Sequence, residues 1–206
     1  MRLRKISIVL LALLLAAMVV VPMVSAEKNM TGKIIRASAT QEQVDKINEL
    51  WGKDITAGEY FEQIHPEFLV DMPAEIKEKL YKKKWIWPIS PDSETKSQSR
   101  FLLLLPITCQ GSLHAHPAVI DFAGMAQYSV VPPSVPWYMA FATYLVNSAD
   151  QVKASTAASG YSVTYLNSNN MWQPDTSGSY HTHTTAFSLS PDYDAVPFYS
   201  GSITWP

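Results

Sequence analysis

The chain has one cysteine, Cys109, among its 206 residues. No intrachain disulfide can form, so an apolar core must hold the fold, and the chain is long enough to bury one. In an oxidising compartment a lone cysteine is either buried or pairs between chains. Cys109 ends an apolar, strand-like run, so burial is the expectation. Basic residues are almost missing from the second half: from Phe101 onward there is a single lysine, Lys153, against five aspartates. The formal charge is −2 overall and −5 once the cations at Arg2, Arg4 and Lys5 are set aside. No basic footprint for nucleic acid results, and no nucleic-acid partner is expected. The one basic run, Lys82 to Lys84, reads as a solvated helix C-terminus.

Catalytic signatures are scarce as well. There is no G-x-S-x-G elbow and no phosphate-cradling glycine loop. The second half has only aspartates as carboxylates, nearly all in turn-like stretches, whereas glycoside hydrolysis needs two facing the sugar. A Cys109–His114 dyad fails on burial, which raises a thiol's pKa. The expectation is a protein that is not an enzyme, with no catalytic residue and no resident cofactor.

The one long apolar run lies at the start. A positive stretch is followed by Ile6 to Val21 without a charge, then Val24-Ser25-Ala26, the order of a secretory signal. Residues 1–26 are read as a cleaved leader, and the rest as secreted or cell-surface. The rival reading is an uncleaved anchor, the one route to a membrane. It is disfavoured because a spanning helix needs about 20 apolar residues and Pro22 interrupts this run. Asn29-Met30-Thr31 is a glycosylation sequon, so Asn29 is a candidate acceptor.

Composition changes near residue 100. Between Glu27 and Arg100 there are 12 Lys or Arg and 13 Asp or Glu. Capping-box patterns at Thr40–Gln43 and Thr56–Glu59 open two helices, expected over about 41–51 and up to Pro66. A third should start near Pro73 and reach about Lys83. Trp85-Ile86-Trp87-Pro88 is expected to dock these helices onto the second half of the chain. Ser90 to Ser99 reads as a linker.

Beyond it the period becomes that of strands. These are expected at 101–110, 113–122, 125–131, 137–147, 151–155, 161–166, 178–189 and 196–205. Turns are expected at Gln110-Gly111, Ala123-Gly124, Ser159-Gly160 and through Asn167 to Gly178. The fold class is α+β and predominantly β: a short helical N-terminal part (27–99) packed on an antiparallel β-sandwich (100–206), immunoglobulin-like or related.

Four of the five histidines fall in two H-x-H pairs, His114/His116 and His181/His183. Residues i and i+2 of a strand share a face, with imidazoles roughly 6.5–7 Å apart along it. Such a pair suits zinc or copper, and neighbouring strands in register would bring all four together. Asp121, Asp192 and Asp194 are conceivable further ligands. Trp172 in the polar 167–178 stretch either plugs the edge of the core or contacts a ligand. Trp137, Trp205 and the Tyr161/Tyr165 pair are expected to fill the core.

The leading functional expectation is a non-enzymatic extracellular binding or assembly module, with another surface protein or a glycan as partner. The alternatives are a zinc- or copper-binding protein using the histidine pairs, and a carbohydrate-binding module using Trp172.

Overall fold

The computed structural model describes residues 32–88, 107–129, 137–190 and 192–206. The leader, Asn29 and the linker lie outside these residues. Residues Thr31–Pro206 form one compact unit. The boundary expected at residue 99 also lies outside the described residues.

The capped helices form as their sequences require. Helix α1 (Gln41–Leu50) is capped by Thr40, whose Oγ accepts from Gln43 N while Gln43 Oε1 accepts from Thr40 N. It buries Val44, Ile47 and Leu50. Helix α2 (Ala57–Ile64) has the same reciprocal cap between Thr56 and Glu59 and buries Tyr60, Phe61 and Ile64. A 3-10 turn at Pro66–Leu69 leads to helix α3 (Ala74–Lys82), which buries Ile76 and Leu80. One segment of this region is a strand, not helix or loop: β1 (Ile34–Ser38).

The other strands are β2 (Ile107–Ala115), β3 (Ile120–Tyr128), β4 (Tyr138–Asn147), β5 (Val152–Tyr161), β6 (Tyr165–Trp172), β7 (Gly178–Leu189), β8 (Tyr193–Asp194), β9 (Phe198–Tyr199) and β10 (Ile203–Trp205). They make two sheets with every pairing antiparallel. The large sheet runs β1-β5-β4-β7-β10, with β8 and β9 also paired to β7; the small sheet runs β2-β3-β6. The sheets pack face to face as a sandwich, and the helices cover the opposite face of the large sheet. Strand β4 is therefore buried at nine successive positions. Its odd-numbered residues Met139, Phe141 and Leu145 face the small sheet, while Tyr144 reaches the helices and bonds Tyr60 (Oη···Oη 3.0 Å). Trp85 stacks on Tyr60 with ring centroids 3.8 Å apart, so the tryptophan strip docks the helices as its composition suggests.

The core between the sheets has two apolar clusters, one around Phe141 and Leu166 and one around Phe122 and Leu145. Between them runs a belt of small and hydroxyl side chains. Gly111 and Gly124 sit directly opposite each other on β2 and β3. A Cβ on Gly124 would fall on Thr143 Oγ1 and come within 2.8 Å of Phe141; one on Gly111 would lie 2.7 Å from the hydroxyls of Thr182 and Thr184. The hydroxyls of Thr143 and Thr184 bond each other (2.9 Å), as do those of Thr156 and Ser168 (2.6 Å). The sheets approach each other closely here, and the small sheet presents no side chain at these two positions.

That use of glycine overturns the expected turns at 110–111, 123–124 and 159–160, which are strand interior. The connection between β2 and β3 lies instead at His116 to Val119, where His116 N donates to Val119 O (2.9 Å). The first half of the polar stretch expected as turn, residues 167–172, is part of strand β6. Its buried residues Leu166 and Ser168 alternate with exposed Tyr165, Asn167 and Asn169.

Candidate functional site

The sandwich separates the two histidine pairs. His114 stands on the outer face of the small sheet, opposite Asp121 of β3. His116 is exposed in the turn beyond it. His181 and His183 lie on β7, on the face turned to the helices, since the intervening Thr182 faces the small sheet. Two sheets roughly 10 Å apart lie between the pairs, so the four imidazoles do not converge. Among the described residues no three His, Cys, Asp or Glu stand together as a ready metal site.

The second pair is nonetheless unusual. The rings of His181 and His183 are 4.6 Å apart. His183 is 1% exposed, set edge-on to Tyr199 at 4.7 Å, with Trp51 at 6.3 Å. Its Nδ1 lies 2.7 Å from the carbonyl oxygen of Pro88. A carbonyl only accepts, so Nδ1 carries the proton and Nε2 presents a lone pair. Nε2 is buried with no hydrogen-bond partner among the described residues. Burial, and then the adjacent His181, push the pKa of His183 down to about 4, against the bond from Pro88 and the charge of Asp150. Burial lowers that of His181 as well, with Asp150 opposing. Both rings are neutral near pH 7.

Other expected site residues have structural duties. Trp172 ends β6 and packs on Tyr180 (5.3 Å) beside the Phe122 cluster, which is the core-edge plug. Cys109 is buried, its Sγ 3.5 Å from Thr184 O and 3.4 Å from Val196 O, and burial pushes the thiol up to about 12. Asp192 and Asp194 pair with Lys83, the latter at 2.7 Å. Lys83 is largely buried, so the basic run is not simply solvated; burial alone would lower its pKa, and the two aspartates outweigh it. A depression of about 560 Å³ lies over these lysines. Carboxylates already pair its Lys79, Lys82, Lys83 and Lys84, so it offers an anion little.

Sequence reasoning missed the outer face of the small sheet. Its two central cross-strand rows are Gln110–Met125–Asn167 and Ser112–Ala123–Asn169. They surround a depression of about 300 Å³, floored by the Gly111/Gly124 pair. Thr108–Gln127–Tyr165 flanks it on one side and His114–Asp121–Met171 on the other. Tyr165 is 45% exposed, and so not the core residue expected. Arg36 holds Asn167, its Nη2 donating to Oδ1 (2.8 Å) and its Nε to the main-chain oxygen (2.7 Å). Asp121 is the one carboxylate in the four rows. The signal was there to be read: Tyr165-x-Asn167-x-Asn169 has the period of two that puts all three on one face.

No known protein family matches the chain, and no curated protein does. Three solved structures are similar in part. A DUF3823 family protein from Bacteroides ovatus is 14% identical over 48% of this chain and 54% of its own, with a TM-score of 0.30. A β-glucosidase from Kluyveromyces marxianus in complex with glucose is 9% identical over 71% of this chain and 18% of its own (TM-score 0.29). The alkylpurine DNA glycosylase AlkC of Pseudomonas fluorescens is 12% identical over 68% and 44% (TM-score 0.24). Each score is too low to carry an argument, and the architecture rests on the strand pairing itself.

Proposed function

We propose that the chain is an exported, non-enzymatic binding module that holds uncharged saccharide chains on the outer face of its small sheet. One observation carries the reading: a concave, nearly uncharged surface of amides and hydroxyls with an exposed tyrosine at its rim. A sugar presents hydroxyl donors and acceptors around its ring edge and C–H groups on its faces. Asn169, Gln110 and Ser112 supply both donors and acceptors and make no side-chain hydrogen bond within the described residues, so binding breaks no existing bond. Met125 and Ala123 give an apolar floor, and Tyr165 a ring that stacks while its hydroxyl stays wet. The curvature needs no extra element, because the glycine pair beneath lets the sheet sink toward the large one.

The same face argues against chemistry on the ligand. Hydrolysis needs an acid and a second carboxylate across the bond, and Asp121 stands without a carboxylate partner in these rows. Export rests on the leader, residues 1–26. Among the described residues no helix is long and apolar enough to cross a membrane.

The test is a neutral-glycan array probed with the chain from Glu27 onward. Binding is expected, weakened at least about tenfold in Tyr165→Ala and in Asn169→Ala, with the bound glycan recovered uncleaved. An array with no bound glycan overturns the reading, as does binding that both variants leave intact. Glycan recovered cleaved would make the chain an enzyme instead.

A further inference from the structure

We infer that His181 and His183 form a divalent transition-metal site for zinc or copper, completed by Asp150 from the adjoining turn. The site is separate from the saccharide face, on the opposite side of the sandwich.

Three observations support it. The first is ring spacing. Two imidazoles sharing one ion at M–N bonds of about 2.0–2.1 Å and near-tetrahedral to right angles have centroids about 4.5–5.2 Å apart. The observed spacing, 4.6 Å, falls within that range. The second is the buried Nε2 of His183, which faces no hydrogen-bond partner among the described residues. A buried polar atom left alone is costly, and a coordinating lone pair is the use that removes the cost. The third is the bond between Nδ1 and Pro88 O, at 2.7 Å. A carbonyl that fixes the tautomer and orientation of a ligand histidine is the usual outer support of such sites.

Asp150 supplies the third ligand and a negative charge. It ends the β4–β5 turn, where Asn147 Oδ1 accepts from Ala149 N (3.1 Å) and Gln151 N (2.9 Å). That turn lies at the end of the sheet next to His181, which is paired across from Val146. Asp150 is exposed at the end of that turn. Among the described residues no third ligand stands ready beside the pair, so Asp150 must swing in to complete the site. Water fills the fourth position from the solvent side of His181. Trp51 and Tyr199 give the apolar surround that strengthens a charged bond inside it.

Titration calorimetry of the chain from Glu27 onward with zinc chloride, and separately with copper(II) as its glycine complex, tests the site. One ion per chain is expected for at least one of the two metals. His181→Ala should weaken binding at least about a hundredfold and Asp150→Asn about tenfold. The double variant His114→Ala/His116→Ala should match the parent. His183→Ala is not needed, since it risks the packing under Trp51; an unchanged melting curve shows that His181→Ala folds. No ion bound overturns the inference. So does binding that survives His181→Ala, or that is lost in the His114/His116 variant. Glycan binding on the other face is measured separately, so either proposal can fail without the other.

Discussion

Cys109 shows how little a residue's type says about its behaviour until its neighbours are known. A thiol ordinarily titrates near pH 8.5, where it is alkylated readily. Here it lies between strands, with carbonyl oxygens of Thr184 and Val196 around it, and burial moves its pKa to about 12. The native chain should resist iodoacetamide at pH 8.5 and become labelled only when denaturant is added. Prompt labelling of the native chain would mean that β9 does not cover it. The expectation of burial was sound because the residue closes an apolar run. Tyr165 went the other way. Its sequence setting places it in the core beside Tyr161, yet the two face different environments, because the chain turns at Ser162 (φ 48°) between them. A residue in left-handed conformation cannot be read from a serine.

Among the elements, the small sheet depends on what it leaves out. Gly111 and Gly124 face inward where the sheets touch, so the outer surface is hollow behind them. Gly124→Ala should cost about 1–3 kcal/mol through overpacking against Thr143. Urea denaturation measures this, and the variant should also bind glycan less well because the hollow is lost. If it melts like the parent, the close approach is not real. The helices were legible because a capping box is a local motif: Thr40 and Thr56 each contact residues three positions away. Strand ends were less so. A glycine in a turn and a glycine under a neighbouring sheet look alike in one dimension, and that confusion misplaced the turns at 110–111 and 123–124. Strand β1 was missed because its partner, β5, is more than a hundred residues away.

At the scale of the molecule, the helices and the sandwich belong to one compact unit. The helical face of the large sheet carries Tyr138, Tyr144 and Phe187, and Trp85 and Tyr60 close over them. Trp85→Ala should cost about 3–5 kcal/mol. Helical and β signals in circular dichroism should be lost in one transition, lower in denaturant; two separate transitions would show that the layers fold apart. Alkali tests the same layer. Burial raises the phenol pKa of Tyr60, Tyr138 and Tyr144 above the ordinary value. In the unfolded chain they ionise near about pH 10, so above that pH the unfolded state binds fewer protons than the native one. Stability is therefore intact below pH 10 and should fall as pH rises beyond it. Phenolate absorbance from these rings should appear together with unfolding. Gradual ionisation of every tyrosine with the fold intact would contradict their burial.

Local chemistry determined much of this protein: the capped helices, the antiparallel β character of the second half, the buried thiol and the pairing of His181 with His183 along one strand. Each depends on residues within a few positions, where periodicity and capping act. Which faces those strands turn to one another was decided only in three dimensions. Register and sheet order put two sheets between the histidine pairs, moved Trp172 into the core edge and gathered Gln110, Asn167 and Asn169 on one surface. Contacts between distant segments carry no trace in the spacing of neighbours, so the proposed binding face and the separation of the histidine pairs emerged with the tertiary structure.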